Sequence, residues 1–152
     1  MFWCLSFAFM TVGCVISDAS RETRSIPAFT ALVSQDFTPA ANSIIKFDKV
    51  KTNIGQHYSP DTGIFTAPKS GLYMISATIR STSGKYLHCE LIINDIVFER
   101  AFGTNYSTGT INAVVQLKKG DKVSIRKDTS YGSNDEIMLG RDWSMFSGYL
   151  IA

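Results

Sequence analysis

Cysteine is scarce in this chain and poorly placed for a disulfide framework. Three occur among 152 residues, and two of them, Cys4 and Cys14, lie in the apolar run that opens the sequence. With that run removed, Cys89 stands alone and no internal disulfide can form. A core and association, not staples, must then hold the chain together, and Cys89 reads as a buried, inert thiol. Histidine is scarcer still, with His57 and His88 the only imidazoles. That leaves few bases titrating near neutral pH. No nucleophile elbow, paired catalytic carboxylates or zinc spacing accompany them. The expectation is a protein that is not an enzyme and holds no cofactor. An excess of one charge is also missing. Fifteen Lys and Arg face thirteen Asp and Glu, for a net charge of +2, and Lys118-Lys119 is the longest basic run. Such a balance gives no footprint for nucleic acid. No amphipathic helix of useful length, internal repeat or Gly-X-Y run is present, so a collagen stalk is not expected.

What is present begins with a charge-free stretch from Met1 to Ile16. It is shorter than the ~20 apolar residues that span a bilayer. Small residues follow at Ser17, Ala19 and Ser20, as they do in a secretory signal peptide, although no Lys or Arg precedes the apolar core. Residues 1–19 are read as that signal, ending between 17 and 20. Residues 20–25 follow as a short polar tail, and 26–152 as one domain. The mature protein is expected outside the cell, with no membrane span.

The domain is dominated by period-two alternation. Tyr73, Ile75, Ala77 and Ile79 alternate with Leu72, Met74, Ser76 and Thr78. Ile111, Ala113, Val115 and Leu117 do the same, as do Val123 with Ile125 and Phe146 with Gly148 and Leu150. Such alternation puts one face in a core and leaves the other for solvent or a neighbour. Turn chemistry separates the runs: Asn94-Asp95 as a two-residue hairpin, Lys119-Gly120-Asp121, Ser83-Gly84-Lys85 and the Pro68-to-Gly71 break. Many short strands at this spacing mean an all-β sandwich or barrel.

Three separated blocks then carry a resemblance. The first is Ile45-Lys46-Phe47-Asp48-Lys49-Val50, leading to Asn53-Ile54-Gly55. The second runs from Tyr58-Ser59-Pro60-Asp61-Thr62-Gly63-Ile64-Phe65-Thr66-Ala67-Pro68 into Gly71-Leu72-Tyr73. The third pairs Val114-Val115-Gln116-Leu117-Lys118-Lys119-Gly120-Asp121-Lys122-Val123 with Phe146-Ser147-Gly148-Tyr149-Leu150. In this order and spacing the chain resembles the complement C1q globular-domain family from Ile26 to Ala152. The resemblance implies a ten-stranded jelly-roll β-sandwich that assembles as a homotrimer. It also implies a secreted binding protein, since relatives act in pathogen recognition, as hormones and as synaptic organisers. Stalkless forms are similar to invertebrate lectin-like immune receptors, whose partners are microbial surface glycans. A signalling ligand for a protein receptor and a structural matrix protein are the alternatives.

Residues for such a role cluster late in the chain. In the polar stretch 128–136, Tyr131 offers a stacking face. Asn134, Asp135 and Glu136 can bond hydroxyls, and Arg141, with Trp143 beside it, suits an anionic group. The same residues fit a plain solvated loop, with Trp143 in the core or a subunit interface. Asp128, Asn134, Asp135 and Glu136 are also hard donors of the kind calcium accepts. In calcium-binding relatives, however, ligands fall mainly in the connection before the Val114-Val115 strand, which here reads Glu99 to Ser107. Arg100 stands at one of those positions and cannot ligate a cation, so no metal site is assigned. Asn105-Tyr106-Ser107 is an N-glycosylation sequon.

Overall fold

A computed structural model describes residues 25–128, 130 and 136–152; the signal-peptide reading lies outside them. Ten strands follow in chain order: β1 (Ala28–Leu32), β2 (Lys49–Ile54), β3 (Tyr58–Ser59), β4 (Ile64–Thr66), β5 (Gly71–Arg80), β6 (Tyr86–Ile93), β7 (Ile96–Thr104), β8 (Thr108–Leu117), β9 (Lys122–Lys127) and β10 (Met145–Leu150). They form two five-stranded sheets, ordered β2-β1-β10-β5-β8 and β3-β4-β9-β6-β7, with antiparallel pairing throughout. This is the ten-stranded jelly-roll sandwich that the family resemblance implied.

The alternation read from the sequence is the alternation of burial. Along β5, Tyr73, Ile75, Ala77 and Ile79 are buried, and along β8 so are Ile111, Ala113, Val115 and Leu117. The ladder sets Tyr73 opposite Val115, Ile75 opposite Ala113 and Ala77 opposite Ile111. Each large side chain so buried stabilises the fold by about 1.5–3 kcal/mol. The heart of the sandwich is aromatic. Phe29 stacks on Tyr58 and Phe65 at 5.0 and 4.8 Å between centroids and meets Phe146 edge-on at 4.8 Å. The Tyr58 hydroxyl is buried with them. It donates to the Phe47 carbonyl (3.0 Å) and accepts from the Phe47 amide (3.1 Å), so the ring carries its polar end into the core fully paired.

Turns follow their residues. Asn94 and Asp95 both have positive φ, 49° and 67°, as the type I′ hairpin requires. Gly63 has φ 73°, and a Cβ there would lie 2.4 Å from the Ile45 carbonyl oxygen, so only glycine fits. One stretch departs from the expectation. Residues 99–104, read above as part of a connection, continue β7, and the connection to β8 is only Asn105, Tyr106 and Ser107. Cross-strand pairing with β6 overrides a pattern in which Val97, Glu99 and Ala101 share a face without being uniformly apolar.

Candidate functional site

The segment between β9 and β10 begins on a charged network at one end of the second sheet. Glu90 on β6 lies opposite Arg100 of β7 on one side and Arg126 of β9 on the other. Arg126 donates to it at 2.7 Å and Arg100 at 3.0 Å. Arg100 also reaches the Asp128 carboxylate at 3.2 Å. The guanidinium thus supplies the positive charge between two buried acids. Asp128 Oδ1 accepts in turn from the Ser130 amide at 2.7 Å. Burial pushes the Asp128 carboxyl up, but hydrogen bonds from Ser130 and the Arg100 charge outweigh it and hold it below the ordinary value.

Glu136 corrects its sequence reading as a solvent-facing ligand group. It is 1% exposed. One carboxylate oxygen lies 2.5 Å from Lys127 Nζ and accepts from the His88 amide at 2.9 Å, while the other meets His88 Nδ1 at 2.7 Å. It ties the middle of the β9–β10 connection to β6 and β9. Lys127 is the reason. It occupies a core-facing position opposite Cys89, and a buried ammonium needs a carboxylate. Cys89 is buried and its thiol pKa is pushed up by the burial, in keeping with an inert core thiol. His88 points to the other face and stacks near Phe102 at 4.6 Å. Among the described residues no three His, Cys, Asp or Glu side chains converge as a metal cage.

Arg141 is where an anion could find it. Gly140, Arg141, Asp142 and Trp143 form a tight turn closed by the Trp143 amide on the Gly140 carbonyl at 3.1 Å. Arg141 and Asp142 have φ of 54° and 69°, a region costing an ordinary residue roughly 1–2 kcal/mol. The segment leaving β1 holds the turn: the Gly140 amide donates to Asp36 Oδ1 (2.9 Å), and the amides of Arg141 and Asp142 donate to the carbonyls of Ser34 and Val33. The Arg141 side chain is 73% exposed, and among the described residues only a long 3.4 Å pair to Asp36 draws on its charge. Trp143 is 55% exposed, not in the core. The Arg80 guanidinium lies over its ring at 4.4 Å and donates through Nε to the Tyr106 carbonyl at 3.0 Å. Together these groups line an open cleft of about 390 Å³, with Thr82 and Tyr106 on its wall. The sequence singled out Arg141 and Trp143; Arg80 and Tyr106, distant in sequence, are joined to them only by the fold. Tyr131, Asn134 and Asp135 lie outside the described residues.

Asn105 sits at the lip of the same region, exposed in the β7–β8 turn at φ 45°. Its Oδ1 accepts from the Gly84 amide at 3.1 Å.

The outer face of the first sheet carries a second feature. The registers align Ala28, Tyr149, Met74 and Val114 side by side across β1, β10, β5 and β8. Tyr149 is 50% and Val114 55% exposed, so an apolar row crosses four strands in contact with solvent. The next row, Thr30, Ser147, Ser76 and Asn112, is polar, and Ser76 Oγ donates to Asn112 Oδ1 at 2.7 Å.

The family model of the C1q domain matches residues 28–151. The heavy metal-binding protein HIP of Mytilus edulis is 34% identical over 96 residues, covering 60% of this chain and 45% of that protein. The human complement C1q tumor necrosis factor-related protein 2 is 29% identical over 140 residues, covering 89% and 47%. The chain therefore spans less than half the length of these relatives. The solved globular domain of the zebrafish complement 1qA protein superposes with a TM-score of 0.68 at 23% identity, over 84% of this chain and 98% of that one.

Proposed function

The chain belongs to the C1q-domain family, and on that premise we propose that it is a secreted, trimeric binding module that recognises microbial surface glycans in a lectin-like way. The observation that carries the assembly is the apolar row of Ala28, Tyr149, Met74 and Val114 on the outside of the first sheet. A contiguous apolar strip rimmed by polar residues is the composition of an association face. Any cyclic assembly through it sets the equivalent points of all copies in one plane. Linked sites presented in one direction convert weak contacts into avidity.

Val114→Asp tests the assembly. The side chain already faces solvent, so the fold tolerates the change, while three carboxylates would meet at a buried interface. Light scattering at micromolar concentration is expected to give a trimer mass for the parent and a monomer mass for the variant. A monomeric parent would sink the trimer. A glycan array tests recognition: a protein partner without sugar preference would replace the lectin reading by that of a signalling ligand. Secretion brings the Asn105 sequon into use. Protein secreted from animal cells is expected to lose mobility-shifting glycan on Asn105→Asp, a change that keeps both the left-handed turn and the acceptor for Gly84. Identical mobility of parent and variant would show that the sequon is unoccupied.

A further inference from the structure

We propose that the cleft between Arg80, Trp143 and Arg141 is a site for acidic saccharides, sugars whose ring carries a carboxylate or sulfate. This rests on the lectin-like reading above and narrows it to a ligand class and a place.

Charge selects the class. Two guanidiniums face the cleft, and the one carboxylate among its lining residues, Asp36, is already engaged by the Gly140 amide. One positive charge is left over. Among the described residues Arg80 makes no ion pair with a carboxylate, and the one hydrogen bond of its guanidinium, to the Tyr106 carbonyl, uses Nε. Its terminal nitrogens are thus positioned by the bond and by the Trp143 ring, and remain able to take a carboxylate or sulfate in forked geometry.

Shape selects the ring. The volume, about 390 Å³, lies in the range of small-ligand sites. Trp143 and Tyr106, each about half exposed, offer apolar faces for the C–H side of a sugar. The hydroxyl of Thr82 supplies a polar partner for a ring hydroxyl.

The backbone supports a selected role for Arg141. Its φ of 54° suits glycine or asparagine better than arginine, and among the described residues its exposed side chain meets a carboxylate only in the 3.4 Å pair to Asp36. A cation in a turn position that glycine would occupy more easily, with its side chain in solvent, is free to meet a ligand.

Location makes the site multivalent. Arg80 ends the outer-facing series Met74, Ser76 and Thr78 on β5, so the cleft opens at one end of the face proposed to associate. Three copies would be displayed together.

The experiment measures binding of the full secreted chain to immobilised polygalacturonate, dextran sulfate, neutral dextran and poly-L-glutamate, with Arg141→Gly and Trp143→Ala as variants. Arg141→Gly relieves the left-handed backbone, so its folding is not in question. The parent is expected to prefer polygalacturonate and dextran sulfate over dextran, with affinity falling as salt rises. Each variant is expected to lose about tenfold or more, by removal of a charge-assisted bond or a stacking wall. Parent binding to acidic saccharides that is unchanged in Arg141→Gly overturns the cleft and leaves the lectin reading standing. Absence of binding to every saccharide overturns that reading and this one with it. Equal binding of poly-L-glutamate overturns the saccharide class.

Discussion

Lys127→Met is expected to lower the free energy of unfolding by about 3–5 kcal/mol, the cost of stranding a buried charge. Lys127 is 3% exposed, and its ammonium meets Glu136 at 2.5 Å and the Asp128 carbonyl at 3.1 Å. Methionine fills the same volume, so the loss measures charge and not a cavity. The partner decides the rescue. Glu136→Gln in the same chain removes the orphaned charge yet keeps an acceptor for the His88 amide, and most of the loss should return. Denaturant unfolding of the two singles and the double closes the cycle; additive losses would mean that the pair is not coupled. Acid gives an independent check. Burial raises the Glu136 carboxyl, but the hydrogen bonds from Lys127 and His88 outweigh it and hold the folded value below the ordinary 4.5. Stability from such a group is present above the unfolded value and is lost as pH falls through the folded one. The parent should therefore weaken more steeply below about pH 4.5 than the double variant, which lacks the carboxylate.

Phe29→Ala is expected to cost a similar 3–5 kcal/mol, here through a cavity. The ring is 2% exposed and touches aromatic side chains from three elements: Tyr58 of β3, Phe65 of β4 and Phe146 of β10. It spans both sheets, and neither can close on the space it leaves. Gly148 is fitted to it, since a Cβ there would lie 2.9 Å from the Phe29 ring and 2.8 Å from Ile75. Thermal unfolding should fall by roughly 10 °C for a chain of this length. A fall of only a degree or two would show that the aromatic cluster can collapse around the gap.

The fold was legible where burial is one-sided. β5 and β8 alternate cleanly because one face meets the opposite sheet and the other does not, and the Asn94-Asp95 turn announces itself by chemistry. β7 was blurred because its outer positions carry Phe98, Arg100 and Phe102, a mix of aromatic and charged side chains that breaks the apolar-polar code. Glu136 misled for a related reason. A carboxylate in a polar stretch reads as solvated, and nothing local reveals that Lys127 has turned inward to meet it. The cleft was half legible. Arg141 and Trp143 are neighbours in sequence, but Arg80 and Tyr106 join them through the packing of β5 and the β7–β8 turn, which only long-range pairing specifies.

The position of β10 bears on how the chain is made. It is the central strand of its sheet, inserted between β1 and β5 and hydrogen-bonded to both. A nascent chain leaving the ribosome has β1 and β5 early, but the strand that joins them comes last. At ~5–20 residues per second, the stretch from Arg80 to Met145 takes several seconds to synthesise. Throughout that interval the facing edges of β1 and β5 are open, with backbone groups ready to pair with another chain. The interval in which a chaperone can act on this protein is therefore written into its topology, opening as β5 emerges and closing only with β10.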